Sequence, residues 1–340
     1  MVRDVVDGMW SEPSGDAKET IGDDQWAIPG LVDAHAHLAA ADLRYEPGDF
    51  ESALARAKES LTAGVTLILD KGWTDEVTIR VIDTLPPDQR PDIEAAARVI
   101  AVPDGHFPGF AREIDGGDIA RVVGDEARAG RGWVKVIGDW PRKGVGPVAN
   151  FDESELRRAV DAAREIRARL AIHTMARDVP SIAVSAGVHS IEHGLFLTEG
   201  DLPALGDRDG MWVPTLLRIE ATLTQLGEAS SGGRLFVEGL ANVRGLLPMA
   251  VEAGVHVLAG TDLVGTPVNV AAEAVRLGDY GLSNRQVVEA VSRSAFVATG
   301  RDPHFAPGTP ANAVFFDEDP VRELGVLTHP ATVIRLGRRL

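Results

Sequence analysis

With 340 residues, 44% of them hydrophobic, the chain can bury a large core, as two ordinary domains or as one barrel with an appendage. A formal charge of −17 sets up a field that repels nucleic acid and anionic lipid, so neither nucleic acid nor a membrane surface is an expected partner. The absence of cysteine excludes disulfides and thiolate ligands, which leaves imidazole, carboxylate or a modified side chain to hold any metal.

The opening segment, Met1 to Asp7, has no apolar run of the signal-peptide kind, and no later stretch approaches membrane-spanning length; a cytoplasmic location is the expectation. Short apolar, β-branched runs then recur, each followed by a longer amphipathic or Ala/Arg/Glu-rich segment, the signature of parallel βα units. Eight strands are predicted: Ile28 to His35, Val65 to Asp70, Ala95 to Val102, Trp133 to Gly138, Leu170 to His173, Val188 to Glu192, Met211 to Thr215 and Val255 to Gly260. Ser154 to Arg169 is an intervening helix, with Asp152 or Ser154 as its cap and Glu153, Glu155 and Asp161 loading its first half. Ser230-Ser-Gly-Gly reads as a loop between the seventh strand and its helix. Eight such units over residues 30–300 predict an α/β fold, a (β/α)8 TIM barrel. Residues 1–29 and 301–340 alternate apolar and polar between Gly/Pro turns and are expected to join as a small β-sandwich-like domain.

In such barrels the chemistry lies at the C-terminal strand ends, and polar residues gather there: His37, Asp70, His106, Lys135, His173, His193 and Asp262. Residues two apart on a strand face the same side, so His35 and His37 can grip one cation. His173 ends the fifth strand in Leu-Ala-Ile-His-Thr, His193 follows the sixth in Ser-Ile-Glu-His-Gly, and Asp262 follows the eighth in Leu-Ala-Gly-Thr-Asp. A closed barrel brings these positions to one mouth. Lys135, in Trp-Val-Lys-Val-Ile-Gly on the fourth strand, falls in the same ring. Its ammonium has no lone pair and cannot ligate a cation. Deprotonated in a desolvated site it can react with carbon dioxide, and the carbamate formed has two oxygens able to bridge two ions.

Pro-Gly-Leu-Val-Asp-Ala-His-Ala-His, Ala-Gly-Val-Thr at 63–66, Lys135, Ser-Ile-Glu-His-Gly, Val-Pro-Thr-Leu and Ala-Gly-Thr-Asp together resemble the amidohydrolase superfamily, within it the prolidase-like and imidazolonepropionase-related branch. The similarity runs from about Ala27 to the end, where Phe305-Ala-Pro-Gly and Ala-Val-Phe-Phe-Asp-Glu-Asp-Pro resemble the family's closing β segment. The resemblance implies a binuclear metal-dependent hydrolase of carbon–nitrogen bonds. His35, His37 and Asp262 would hold the more buried ion, His173 and His193 the second, and carboxylated Lys135 would bridge them. Zn2+ is the expected metal. Two ions about 3.5–4 Å apart would share a hydroxide as nucleophile, one of them polarising the scissile carbonyl. Asp262 would take the hydroxide's proton and pass it to the leaving group. The substrate class implied is a small peptide-like, N-acyl or carbamoyl molecule.

Two departures bear on substrate. Thr174-Met175-Ala176 follows His173 where prolidase-like relatives carry a tyrosine, which speaks against a dipeptidase, and the family's Gly-Gly-His after the third strand stands here as Asp104-Gly105-His106, leaving His106 as a substrate contact. In the small domain, Asn312 replaces the usual aspartate. Mononuclear deaminases of the superfamily have a glutamate three residues after the fifth-strand histidine, whereas this chain has Ala176. Lactone or ester hydrolysis by the same centre is chemically close, and a non-catalytic scaffold would not need all six ligand positions. Arg142, Lys143, Arg177 and Arg218 lie on the catalytic side as candidates to clamp a substrate carboxylate, and Trp73 and Trp140 as candidates to line an apolar pocket. Asp70 is expected to brace the mouth or neutralise Lys71; His189, His256, His304 and His329 read as structural. A homo-oligomer is compatible with the sequence.

Overall fold

The computed structural model describes residues 1–16, 19–40, 49–142, 146–262 and 270–340. Strands flanked by helices on a parallel sheet must bury nearly every side chain, and Leu31–Ala36, Val65–Asp70 and Trp133–Ile137 are buried at each position. Leu31–Ala36, Val65–Asp70 and Asp92–Ala95 pair in parallel as a three-stranded sheet. A seven-stranded parallel sheet follows in the order His256–Val257, Met211–Val213, Ser190–His193, Arg169–Thr174, Trp133–Ile137, Ile100–Ala101 and Arg112–Glu113. Backbone bonds join the two sheets on both sides. Ala34 N–H donates to Ala259 O at 2.9 Å and Asp262 N–H to His35 O at 2.8 Å, while Ala95 and Arg131 exchange bonds of 3.0 and 2.7 Å. This α/β arrangement is consistent with a TIM-like barrel.

The third predicted strand is two. Asp92–Ala95 pairs with the second strand and Ile100–Ala101 with the fourth, because the chain between them turns to present Ala97 O to Trp73 N–H at 3.2 Å. The helix expected at Ser154 to Arg169 spans Glu153–Glu165, with Asp152 and Glu155 forming a reciprocal capping box. It stops early because Arg167 takes a left-handed conformation (φ 61°), which frees Arg169 to begin the next strand. Ser230 is not in a loop between a strand and its helix: Leu216–Leu226 already follows the seventh strand, and Ser230 caps the 22-residue helix Ser231–Glu252 by accepting from Gly233 N–H at 2.9 Å. Among the described residues no helix is long and apolar enough to cross a membrane.

The two ends of the chain share a sheet. Trp26–Ile28 pairs antiparallel with Ala313–Phe316, which pairs with Thr332–Arg335 and through it with Arg338–Arg339. Asn312 ties this sheet together by accepting from Leu336 N–H at 3.0 Å.

One buried carboxylate makes stability depend on pH. Glu273, on Val270–Asp279, accepts from Leu216 N–H at 2.7 Å and Leu217 N–H at 2.9 Å, closing the start of Leu216–Leu226. Burial pushes its pKa from 4.5 up to about 8 against those two bonds, with Glu220 and Asp33 adding repulsion. Between those two values the folded chain holds a proton that the unfolded chain has released. The Glu273 contribution to stability should therefore fall as pH rises through this window, by on the order of 1.4 kcal/mol per pH unit, and level off above it. The difference in unfolding free energy between wild type and Glu273→Gln, from urea titrations across the window, should shift toward the glutamine variant as pH rises; parallel curves would remove Glu273 as the cause.

Candidate active site

Strand geometry sets His35 and His37 side by side, and partners behind each ring fix which nitrogen faces inward. His35 Nδ1 lies 2.7 Å from Glu192 Oε2, and His37 Nδ1 lies 2.7 Å from Gly72 O. Both therefore turn Nε2 toward Asp262 Oδ1, at 3.5 and 3.4 Å. Ligand atoms of these three residues all lie within 4.8 Å of one another, a group that could hold a metal ion. His193 is fixed in the same way. The Thr215 hydroxyl donates to Pro214 O at 2.8 Å, so it accepts from His193 Nδ1–H at 2.6 Å and leaves Nε2 with its lone pair. That Nε2 sits 2.9 Å from His173 Nδ1 and 3.8 Å from Asp262 Oδ2. Burial pushes His35 down to about 3 and His193 to about 4, and, with His193 beside it, holds His173 well below the ordinary range. These three rings are neutral at physiological pH, the form that ligates metal.

The convergence needs backbone that the sequence does not announce. Consecutive strand residues normally face opposite sides, yet Glu192 and His193 both reach this site; His193 takes φ 64°, and Thr215 and Asp262 take 51° and 40°. Gly260 admits the Asp262 segment against the first strand, since a Cβ there would lie 2.7 Å from His35 Cβ and 2.6 Å from Val213 Cγ1. Asp33 fastens the same junction, accepting from Thr261 Oγ1 at 2.7 Å, Thr261 N–H at 3.1 Å and His35 N–H at 3.1 Å.

Lys135 is buried among these groups, and its Nζ has no hydrogen-bond partner. Burial pushes its pKa down to about 8, although the charges of Glu192 and Asp262 oppose the shift. Glu192, also fully buried, stands between His35 and Lys71, whose Nζ is 3.3 Å from Glu192 Oε1 and 4.0 Å from the centre of the Trp133 ring. Lys71 is thus paired with Glu192 rather than with Asp70. Asp70 braces the mouth, accepting from Leu38 N–H at 2.7 Å and Gly72 N–H at 2.8 Å. Any metal ion held by the His35, His37 and Asp262 group should bind about 10- to 100-fold more weakly in Glu192→Gln, because the substitution removes the carboxylate that orients His35. Competition with a chelator of known affinity measures this, and an unchanged constant would deny Glu192 the orienting role.

At the rim, His106 packs its ring 4.8 Å from Trp140 and 5.1 Å from Phe107. Trp140 belongs to the hairpin Asp139–Arg142 and Gly146–Ala149 after the fourth strand, and its ring is 5.6 Å from that of His173. Asp139 anchors the neighbouring loop by accepting from Met175 N–H at 2.8 Å and Ala176 N–H at 3.0 Å. Arg142 donates to Asn150, and Arg177 pairs with both oxygens of Glu238 while stacking on Phe196, so the Arg177 charge is already taken. Arg218 is buried in the first turn of Leu216–Leu226, and Lys143 lies outside the described residues. His189 accepts from Leu170 N–H, His256 faces Asp209, His304 meets Arg293 and His329 meets Thr328, all away from the cluster. Asp33, Glu192 and Asp139 were not singled out in the sequence as site residues. The first two stand inside the histidine motifs, which was the available signal.

A parallel α/β sheet with an imidazole and carboxylate cluster at its C-terminal strand ends is the setting of a metal-binding hydrolase. The chain matches the amidohydrolase family over residues 26–340 and belongs to it. An uncharacterized protein of Mycobacterium tuberculosis is 31% identical over 98% of this chain and 90% of its own length. Solved structures share the fold at lower identity. An Xaa-Pro dipeptidase with bound methionine has a TM-score of 0.78 at 20% identity, covering 93% of this chain and 87% of that one. A prolidase complexed with N-methylphosphonate-L-proline reaches 0.80 at 19% identity over 98% and 93%. The ochratoxinase of A. niger reaches 0.76 at 20% identity over 92% and 82%.

Proposed function

We propose that this amidohydrolase is a binuclear metal-dependent enzyme that cleaves an amide-type C–N bond in a small peptide-like, N-acyl or carbamoyl substrate. In this reading residues 30–300 close as a (β/α)8 barrel, with residues 1–29 and 301–340 as a small β-sandwich-like domain beside it. His35, His37 and Asp262 hold one ion, His173 and His193 the other, and carboxylated Lys135 lies between. The donor set suits Zn2+, being imidazole and carboxylate without thiolate. The observation that carries the proposal is Lys135: a buried amine without a hydrogen-bond partner, its pKa lowered to about 8, whose charge acts on His35, His173 and His193. As a carbamate it would gain oxygens suited to cations and lose an ammonium that has no hydrogen-bond partner.

Such a metal pair, when bound, supplies a nucleophilic oxygen at neutral pH and polarises the scissile carbonyl. Asp262 serves as the proton carrier. Its carboxylate lies 3.5 and 3.4 Å from the Nε2 atoms of His35 and His37, a position from which an oxygen can accept a proton and return it to the leaving amine. His106 stands at the rim with Nδ1 unpartnered and its ring held by Trp140, placed to contact the substrate. Fold neighbours named as a dipeptidase and a prolidase support the amide-type assignment.

Zinc-loaded protein prepared with bicarbonate should carry about two equivalents of metal and hydrolyse members of a dipeptide, N-acyl-amino-acid and lactone library, with activity lost to chelator. Folded protein that takes up no metal and turns over nothing would instead be a scaffold.

A further inference from the structure

The loops after the second, third and fourth strands carry aromatic side chains that the proposed hydrolysis does not use. The Trp73 ring lies 5.1 Å from that of His37 and 5.1 Å from Phe110. Phe110 lies 6.4 Å from Phe107, Phe107 lies 4.8 Å from Trp140, and Trp140 lies 5.6 Å from His173. Four aromatic rings thus run in unbroken sequence from a ligand-type histidine on the first strand to another on the fifth. Interplanar angles of 68°, 74° and 78° make each contact edge-to-face, which fixes the ring planes. Trp73 is buried behind the arc, whereas Phe107, Phe110 and Trp140 keep part of their surface open. A contiguous apolar patch left partly open beside a polar centre marks a binding surface. Arg177, one cation that the sequence offered for a substrate carboxylate, is paired with Glu238.

We infer that this arc is the substrate wall of the site, and that it selects molecules carrying an uncharged aromatic group next to the scissile bond over those carrying a small one. The bond cleaved rests on the hydrolase reading; the wall would bind such a group whether or not hydrolysis follows.

The test uses zinc-loaded full-length protein in two assays. Matched amides that differ only in carrying a benzoyl or an acetyl group are compared by kcat/KM, and 2-naphthamide binding is measured by equilibrium dialysis. Wild type should favour the benzoyl member by about 10-fold or more, and Trp140→Leu should raise its KM and the 2-naphthamide Kd by about 10-fold, with a smaller change for the acetyl member. Phe107→Leu, at a partly exposed ring, carries the same comparison if Trp140→Leu fails to fold. Equal kcat/KM within the pairs, with 2-naphthamide binding that neither substitution weakens, overturns the inference and leaves the hydrolase intact. Trp140-dependent binding without hydrolysis of any amide supports the wall and overturns the hydrolase reading.

Discussion

Asp262→Asn is expected to keep the fold and to lower kcat by about 10²- to 10⁴-fold, the range for loss of a positioned proton carrier. Asparagine preserves the shape of the side chain and one ligating oxygen but cannot accept a proton. The wild-type carboxylate lies 3.4 to 3.8 Å from the nitrogens of His35, His37 and His193, and its own N–H is tied to His35 O at 2.8 Å, so the variant has little freedom to move. Metal content should drop less than turnover. Measuring both on one preparation separates ligation from proton transfer. A variant that binds zinc normally and turns over at the wild-type rate would end the proton-carrier assignment.

Lys135→Ala should be the most damaging single change to the centre itself. On the binuclear proposal, the alanine variant removes the bridging group and leaves His173 and His193 without a shared ligand to the first-strand pair. Metal should fall from about two equivalents toward one or none, and hydrolysis to the background of the metal-free protein. The fold should survive, because Lys135 makes no hydrogen bond that the alanine would break and the strand around it remains buried and paired. A short carboxylate such as acetate, diffusing into the vacated space, should restore part of both losses. Full activity and both metals in this variant would show that the lysine is not a bridge.

Much of this could be read from residue order. His35 and His37 declare themselves by spacing on a strand, Lys135 by its place in a buried strand, and His173, His193 and Asp262 by ending later strands. What escaped were the residues that hold the clustered side chains from behind. Glu192 looked like a neighbour of His193, and its reach to His35 and Lys71 depends on pairing between segments more than a hundred residues apart. The arginines show the reverse error. Arg177 sits where a carboxylate clamp could stand, but Glu238 on a distant helix takes it.

Local chemistry alone determined the alternation of strands and helices, the acidic and thiol-free character, and the identity of the donor atoms, because period, charge and functional groups are properties of residues in order. Only the tertiary structure decided which imidazole nitrogen faces inward, which buried lysine has an acidic partner, and how four aromatic rings join across three loops. Those outcomes depend on hydrogen bonds and burial contributed by remote segments, and on left-handed backbone at His193, Thr215 and Asp262 that packing imposes on residues with no intrinsic preference for it.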